Sequence, residues 1–216
     1  MDRGGTAQPD GDTRVIRICL HGAESTGKST LARKLAARFD CPAVSEYGRT
    51  YAETHGAAFT LEDLLAIARE QDRLMRAAAA TSPGLLVLDT DPLMTAAWAG
   101  MLFGTVPDAL LAYEKAELYL LFSPEVPWVA DGTRAFGAPD ARARFAAIAE
   151  DILVRAGVPY RTIDGDWAAR EREAAEAVAG ALSRSPEPAA PPCGANRHSS
   201  IRGAGHRRTA KLPRPT

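Results

Sequence analysis

The sequence predicts an α/β fold with a parallel, five-stranded sheet covered by helices on both faces. Five short apolar runs, typical of buried strands, alternate along the 216 residues with longer segments whose apolar residues recur at helical spacing. Strands separated in this way run parallel, because each connecting helix carries the chain back across the sheet. At this length, and with an ordinary share of apolar residues, one domain with a buried core is expected, and none of the apolar runs is long enough to cross a membrane.

The first strand is predicted at residues 15–20, where the run VIRICL has the composition of a buried strand. After this strand in the chain, the segment GAESTGKS at residues 22–29 matches the phosphate-binding loop pattern, Gly-x-x-x-x-Gly-Lys-Ser. A helix follows, since Leu31, Leu35 and Phe39 recur at helical spacing. This order of strand, loop and helix points the N-terminus of the helix at an anion.

The loop predicts that the chain binds a nucleoside triphosphate with Mg²⁺. Its glycines allow backbone N–H groups to face a polyphosphate, Lys28 reaches the β- and γ-phosphates, and the Ser29 hydroxyl binds the metal. ATP is the expected donor, because Asn196 is the only asparagine and the guanine-specific element Asn-Lys-x-Asp therefore does not occur in this sequence. The predicted nucleotide-binding residues are Gly22, Glu24, Ser25, Thr26, Gly27, Lys28, Ser29 and Thr30.

The second strand is predicted at residues 42–44 and ends in the polar segment SEYGR. Because polar residues at the carboxyl end of a parallel strand face the ligand site, Glu46 could take the proton of an acceptor hydroxyl during in-line phosphoryl transfer. Tyr47 could stack on a flat heterocycle, and Arg49 could pair with a phosphate or with Glu46. The alternative is a solvated loop glutamate without a catalytic role.

The third strand is predicted at residues 85–88, which form a continuous apolar run. The segment DTD, residues 89–91, follows it directly. Asp89 has the form of a Walker B acid, which would hold Mg²⁺ beside Ser29. Pro92 suits the first turn of the next helix. Asp91 directly precedes this proline, so both capping of the helix and catalysis are open for it.

The remaining elements continue the alternation of strands and helices. Thr60 with Asp63 forms a capping-box pattern that predicts the start of a long helix. Further strands are predicted at residues 118–122 and 160–163, and further helices at about residues 140–156 and 166–183. Since the carboxyl ends of parallel strands share one edge of the sheet, we expect the phosphate-binding loop, Glu46, Asp89 and Asp164 to meet there.

The segment WVADGTR at residues 128–134 lies between the fourth strand and the next helix, where phosphotransferases often carry a mobile lid that excludes water. Arg134 could close over the β- and γ-phosphates and offset the charge that builds up in the transition state. Arg142 and Arg144 are further candidates for this role. Arginines on an exposed helix face, without any such role, are the alternative.

The net charge of −1 conceals two unlike segments. Residues 184–216 contain seven Lys and Arg against one acidic residue, which gives +6, so residues 1–183 carry −7. We interpret the basic segment and the polar residues 1–12 as disordered flanks of one domain, residues 13–183. A basic tail could contact nucleic acid or anionic lipid, but an idle extension is expected and neither partner is predicted. No apolar signal stretch opens the sequence, so a cytoplasmic location is expected.

Several motifs beyond the loop resemble the kinase domain of the NadR proteins, the ribosylnicotinamide kinases of bacterial NAD salvage. The resemblance covers about residues 15–182 and follows the order of that family's motifs. It rests on GAESTGKS, EYGR at residues 46–49, Gln71 with Arg73, DTD at residues 89–91 and WVADGTR. The Glu-Ser pair inside the loop, followed by EYGR, is more specific than the loop alone.

This resemblance implies a P-loop kinase-like fold and transfer of the ATP γ-phosphate to the 5′-hydroxyl of nicotinamide riboside, giving nicotinamide mononucleotide. It assigns the nucleotide and metal to Lys28, Ser29 and Asp89, and the lid to Arg134. It assigns the riboside to Glu46, Tyr47, Arg49, Gln71 and Asp91. Only a short polar stretch stands where bifunctional members carry a nucleotidyltransferase domain, so adenylylation of the product is not expected. A kinase for another nucleoside, or an ATP-binding regulatory module without kinase activity, stays open.

Overall fold

The structure, a computed structural model, describes residues 14–126 and 137–184. It contains a five-stranded, all-parallel sheet with strand order β2-β3-β1-β4-β5. The strands are β1 (Ile16–Gly22), β2 (Ala43–Val44), β3 (Leu85–Leu88), β4 (Leu118–Phe122) and β5 (Tyr160–Ile163). The predicted fold class and number of strands are therefore confirmed.

Seven helices connect and flank these strands in the described residues. They are α1 (Lys28–Arg38), α2 (Tyr47–His55), α3 (Leu61–Ala79), α4 (Pro92–Phe103), α5 (Asp108–Leu111), α6 (Pro139–Arg155) and α7 (Trp167–Arg184). The sequence did not predict α2 and α5, because α5 has only four residues and α2 buries only Ala52. The predicted capping box of α3 is confirmed, since Thr60 and Asp63 exchange backbone and side-chain hydrogen bonds.

Helices cover both faces of the sheet, as predicted. On one face, Ile18 and Leu20 pack with residues of α1 and α7. On the other, Cys19 and Leu88 pack with residues of α3, α4 and α6. This gives three layers with a core on each side of the sheet. No helix in the described ranges combines the length and the apolar character needed to span a membrane.

The register of the sheet brings the carboxyl ends of the central strands together. Gly22, the last residue of β1, pairs with Phe122 at the end of β4, and Val44 of β2 pairs with Leu88 of β3. The segments that follow β1, β2 and β3 therefore leave the sheet at one edge. This is the edge at which open parallel sheets bind their ligands.

Candidate functional site

The loop between β1 and α1 has the backbone of an anion-binding loop. Gly22, Ser25 and Gly27 all have positive φ angles, of 121°, 60° and 86°. A Cβ atom on Gly22 would lie 2.7 Å from the carbonyl oxygen of Phe122, so only glycine fits beside β4. The first turn of α1 contains no acidic residue, and its N-cap residue, Gly27, has no side chain that could cap the helix. The helix N-terminus is therefore suited to binding a phosphate.

The ammonium group of Lys28 lies against the loop itself. Its Nζ atom donates hydrogen bonds to the carbonyl oxygens of Gly22 and Ala23 at 2.8 and 2.7 Å. The hydroxyl of buried Thr26 also donates to the Ala23 carbonyl, at 2.8 Å. These bonds hold the loop in a folded shape and keep the positive charge at its mouth, where a polyphosphate would meet it.

Asp89 follows β3 directly, and one of its carboxylate oxygens is a buried hydrogen-bond acceptor. Its side chain is only 7% exposed, and its Oδ1 atom is buried without a hydrogen-bond partner among the residues that the structure describes. Within residues 14–126 and 137–184, no three His, Cys, Asp or Glu side chains cluster to hold a metal by themselves. The pair of Asp89 and the Ser29 hydroxyl fits Mg²⁺, which commonly takes one or two protein ligands together with substrate phosphates.

Glu46 lies at the start of α2 and lines the same cleft as the loop. It is the N-cap residue of this helix, but its side chain makes no capping bond there. Burial raises the pKa of Glu46, the charge of Lys28 opposes that rise, and Asp89 adds to it. The Arg49 guanidinium lies 3.9 Å from the carboxylate, so the predicted pairing of Arg49 with Glu46 is present as a loose ion pair.

Asp91 occupies the capping position that the sequence left open. Its Oδ1 accepts a hydrogen bond from the backbone N–H of Leu93 at 3.0 Å, and its Oδ2 accepts one from the Tyr119 hydroxyl at 2.5 Å. The side chain is fully buried, which raises its pKa to about 6. Both oxygens thus serve the start of α4 and its contact with β4, and the catalytic alternative stays a prediction.

A cleft extends from the loop to an aromatic cluster. Phe59, Trp98 and Phe145 line its far end, with ring centroids 6.1 Å apart for Phe59 and Trp98 and 5.2 Å for Trp98 and Phe145. Of the predicted site residues, the cleft is lined by Gly22, Glu24, Ser25, Thr26, Gly27, Lys28, Ser29, Thr30, Glu46, Arg49 and Gln71. The ring of Tyr47 instead packs edge-on against Tyr51.

The aromatic cluster was not predicted. Trp98 lies on α4 and Phe145 on α6, so only the sheet order brings the two side chains together. In the sequence, Trp98 belongs to a helix that is apolar on all sides and Phe145 to an amphipathic helix, so each has the pattern of an ordinary core residue. Phe59 immediately precedes the N-cap residue of α3, where an apolar residue is commonly explained by helix packing. No signal in the sequence separates these three residues from the core.

A second cavity lies against the loop and includes its residues Thr26 and Gly27. Trp167, 54% exposed at the start of α7, lies so close that a Cβ atom on Gly27 would be 2.6 Å from its ring. Arg170, only 1% exposed, donates hydrogen bonds to the carbonyl oxygens of Gly165 and Ser123 at 2.8 and 2.9 Å. Neither side chain was predicted to contribute to the site.

The predicted lid, including Arg134, lies outside the described residues. Of the two further candidates, Arg142 donates hydrogen bonds to the carbonyl oxygens of Val126 and Pro124 at 2.8 and 2.5 Å. It thereby ties α6 to the segment that follows β4. Arg144 is exposed on α6. The predicted tail also lies outside the described residues, apart from Arg184, which ends α7.

Comparison with known proteins supports the resemblance found in the sequence. The chain is 29% identical over 172 residues to the trifunctional NAD biosynthesis/regulator protein NadR of Escherichia coli K12, a match that covers 76% of this chain and 42% of that protein. Crystal structures of NadR protein with NAD and AMP-PNP, and with NR, give TM-scores of 0.65 and 0.64 at 21% and 22% identity. They cover 80% and 82% of this chain, and 51% and 52% of theirs.

A deoxyadenosine kinase from M. mycoides gives a TM-score of 0.54 at 10% identity, over 76% of this chain and all of that protein. The fold is therefore the P-loop kinase fold. The chain spans about half the length or less of the NadR proteins that it matches.

A family model described as an AAA domain matches residues 17–170. The chain belongs to this AAA-domain family of P-loop proteins.

Proposed function

We propose that the chain is a kinase that transfers the γ-phosphate of ATP to the 5′-hydroxyl of nicotinamide riboside. The observation that carries this proposal is the cleft that joins the phosphate-binding loop, Glu46 and an aromatic end in one continuous space. A phosphoryl donor and a nucleoside with a flat ring both find complementary surfaces there. The likeness to NadR protein, which has been crystallised with AMP-PNP and with NR, supports the choice of substrates.

The donor and acceptor bases would bind on different sides of the loop. The triphosphate lies along the loop amides and Lys28, and its base enters the second cavity, where the exposed face of Trp167 can stack on it. The acceptor ring enters the aromatic end of the cleft, beside Trp98. Its hydroxyl then points back toward Glu46 and the γ-phosphate.

Glu46 would accept the proton of the attacking hydroxyl, and Lys28 would stabilise negative charge on the transferred group. Ser29 and Asp89 would hold Mg²⁺, which, when bound, neutralises charge on the phosphate oxygens. The raised pKa of Glu46 brings its affinity for a proton closer to that required of a base near neutral pH.

The direct test is incubation of the purified chain with Mg·ATP and nicotinamide riboside, with the product followed by mass. The same assay with a panel of ribosides and deoxyribosides identifies the acceptor. Phosphorylation of another nucleoside alone would contradict nicotinamide riboside as the substrate. No phosphorylated product from any nucleoside would contradict the kinase itself.

Glu46→Gln is expected to lower kcat by about 10²-fold, the usual contribution of a positioned base, with little change in ATP affinity. The base must be ionised to accept a proton, so the wild-type rate should fall as pH decreases through the raised pKa of Glu46. The variant should lack this fall, as measured by initial rates across the acid range. Glu53→Gln, an exposed change on the same helix, should behave as wild type. Equal kcat in Glu46→Gln and wild type would contradict the assigned base.

Trp167→Ala is expected to raise the KM for ATP by about tenfold, because stacking on a base contributes roughly 1–3 kcal/mol. The KM for the riboside should change little, since Trp167 lines only the second cavity. Trp98→Leu is the matched experiment at the other end of the site and should raise the KM for the riboside instead. Steady-state kinetics with each substrate varied would measure both effects. An unchanged KM for ATP in Trp167→Ala would contradict the assigned donor-base site.

A further inference from the structure

Gln71 is a buried carboxamide whose hydrogen bonds join two of the segments that form the cleft. It lies on α3, is only 1% exposed, and makes every hydrogen bond described for it to a backbone group. We propose that Gln71 is a positioning residue that fixes the direction of the Glu46 carboxylate by clamping the segments after β2 and β3 together. This inference rests on the proposed kinase function.

The hydrogen bonds of Gln71 reach the residues on both sides of Glu46. Its Oε1 accepts a hydrogen bond from the backbone N–H of Tyr47 at 2.8 Å, and its Nε2 donates to the carbonyl oxygen of Ser45 at 3.2 Å. These are the residues immediately before and after Glu46 in the chain. The peptide groups that flank Glu46 are thus held by one side chain from another helix.

The third bond reaches the neighbouring strand. Nε2 also approaches the carbonyl oxygen of Thr90 at 3.4 Å, in the segment that begins with Asp89. The backbone N–H of Asp89 donates to the carbonyl oxygen of Val44 at 2.9 Å, so the two segments already meet at the sheet. Gln71 extends this connection beyond the strands, to the segments that carry Glu46 and Asp89.

A carboxamide suits this position because it accepts from one backbone group and donates to two others. An ionised glutamate would place an oxygen against the carbonyl groups of Ser45 and Thr90, and methionine would leave all three backbone groups without this partner. The Glu46 side chain itself makes no capping bond to α2. Besides its loose ion pair with Arg49, the direction of the carboxylate therefore depends on the backbone that Gln71 holds.

A double-mutant cycle tests this inference. Gln71→Met should lower kcat by about 10²-fold in the wild-type background, because a shift of about 1 Å in a reacting group can cost that much. The same change should cost no more than about threefold in a Glu46→Gln background, since the group that it positions is then already missing. The Kd for Mg·ATP should stay within about threefold of wild type, because the described bonds of Gln71 do not reach the loop.

Glu70→Gln, one position away on α3 and paired only with Arg73 in the described bonds, is the control for effects of the helix itself. Gln71→Glu repeats the cycle with a side chain of the same shape. Equal losses of kcat in both backgrounds would overturn the inference, as would wild-type kcat in Gln71→Met. So would loss of folding in both Gln71 variants, because the bonds would then hold the fold instead of the site. Failure of the proposed function would appear separately, as wild-type protein that phosphorylates no nucleoside.

Discussion

Lys28→Ala is expected to reduce turnover by about 10³-fold or more while the chain stays folded. Lys28 is the side chain of the loop that carries a full positive charge to the phosphates, and removing a single neutral donor to developing negative charge already costs about 10²- to 10³-fold. Its ammonium group contacts only loop carbonyls in the bonds described for it, so the hydrophobic core does not depend on it. Turnover and far-UV circular dichroism, measured on the same preparation, would check both halves of the prediction.

Arg33→Ala provides the control, because Arg33 is exposed on the same helix and the substitution removes the same charge. It should leave turnover within about twofold of wild type, as surface substitutions usually do. Unfolding of Lys28→Ala would contradict the placement of the lysine in the loop. Unimpaired turnover would contradict the role of the loop in catalysis.

The loop and the strand ends could be predicted because each is a local pattern. The loop is contiguous in the chain, and Asp89 and Glu46 each follow a strand that the sequence makes plain. The rule that ligands bind at the carboxyl ends of parallel strands then places both acids near Lys28. In the structure, Lys28 and Glu46 line the same cleft, and the backbone N–H of Asp89 is hydrogen-bonded to Val44 of the neighbouring strand.

The aromatic end of the cleft and the second cavity could not be predicted, because each is assembled from distant segments. Trp98 and Phe145 come from two helices that pack together on one face of the sheet, and Trp167 comes from a helix on the other face. Such side chains have the same local pattern whether they fill a core or line a cleft. The difference depends on how closely the helices approach, which a single sequence does not encode in any one segment.

Asp89 and Asp91 show how two similar residues receive different environments. They are two positions apart after the same strand, and the sequence predicts a metal ligand at Asp89 while it leaves helix capping and catalysis open for Asp91. Asp91 accepts hydrogen bonds on both oxygens, whereas the Oδ1 of Asp89 has no partner in the described part of the chain. A buried acceptor without a partner is costly unless a ligand completes it. Of the two, Asp89 is therefore the acid that we propose as the ligand of the cation.

Asp89→Asn is expected to lower turnover by about 10³-fold, because a metal that stabilises charge on the phosphates contributes several kcal/mol to the rate. The amide keeps the size of the side chain but removes the negative charge that attracts the cation. Wild-type protein should bind ATP more tightly with Mg²⁺ than without it, and the variant should lose most of this difference. Calorimetry in the presence and absence of Mg²⁺ measures the effect without relying on turnover.

Asp108→Asn makes the same chemical change at an exposed residue of α5, and it should leave both turnover and the magnesium dependence of ATP binding unaltered. The comparison separates the loss of one particular carboxylate from a general change in surface charge. If Asp89→Asn kept the full magnesium dependence of ATP binding, the metal would have to be held by other groups. The unpartnered Oδ1 of Asp89 would then need a different explanation, because a buried carboxylate oxygen without a ligand destabilises the fold that contains it.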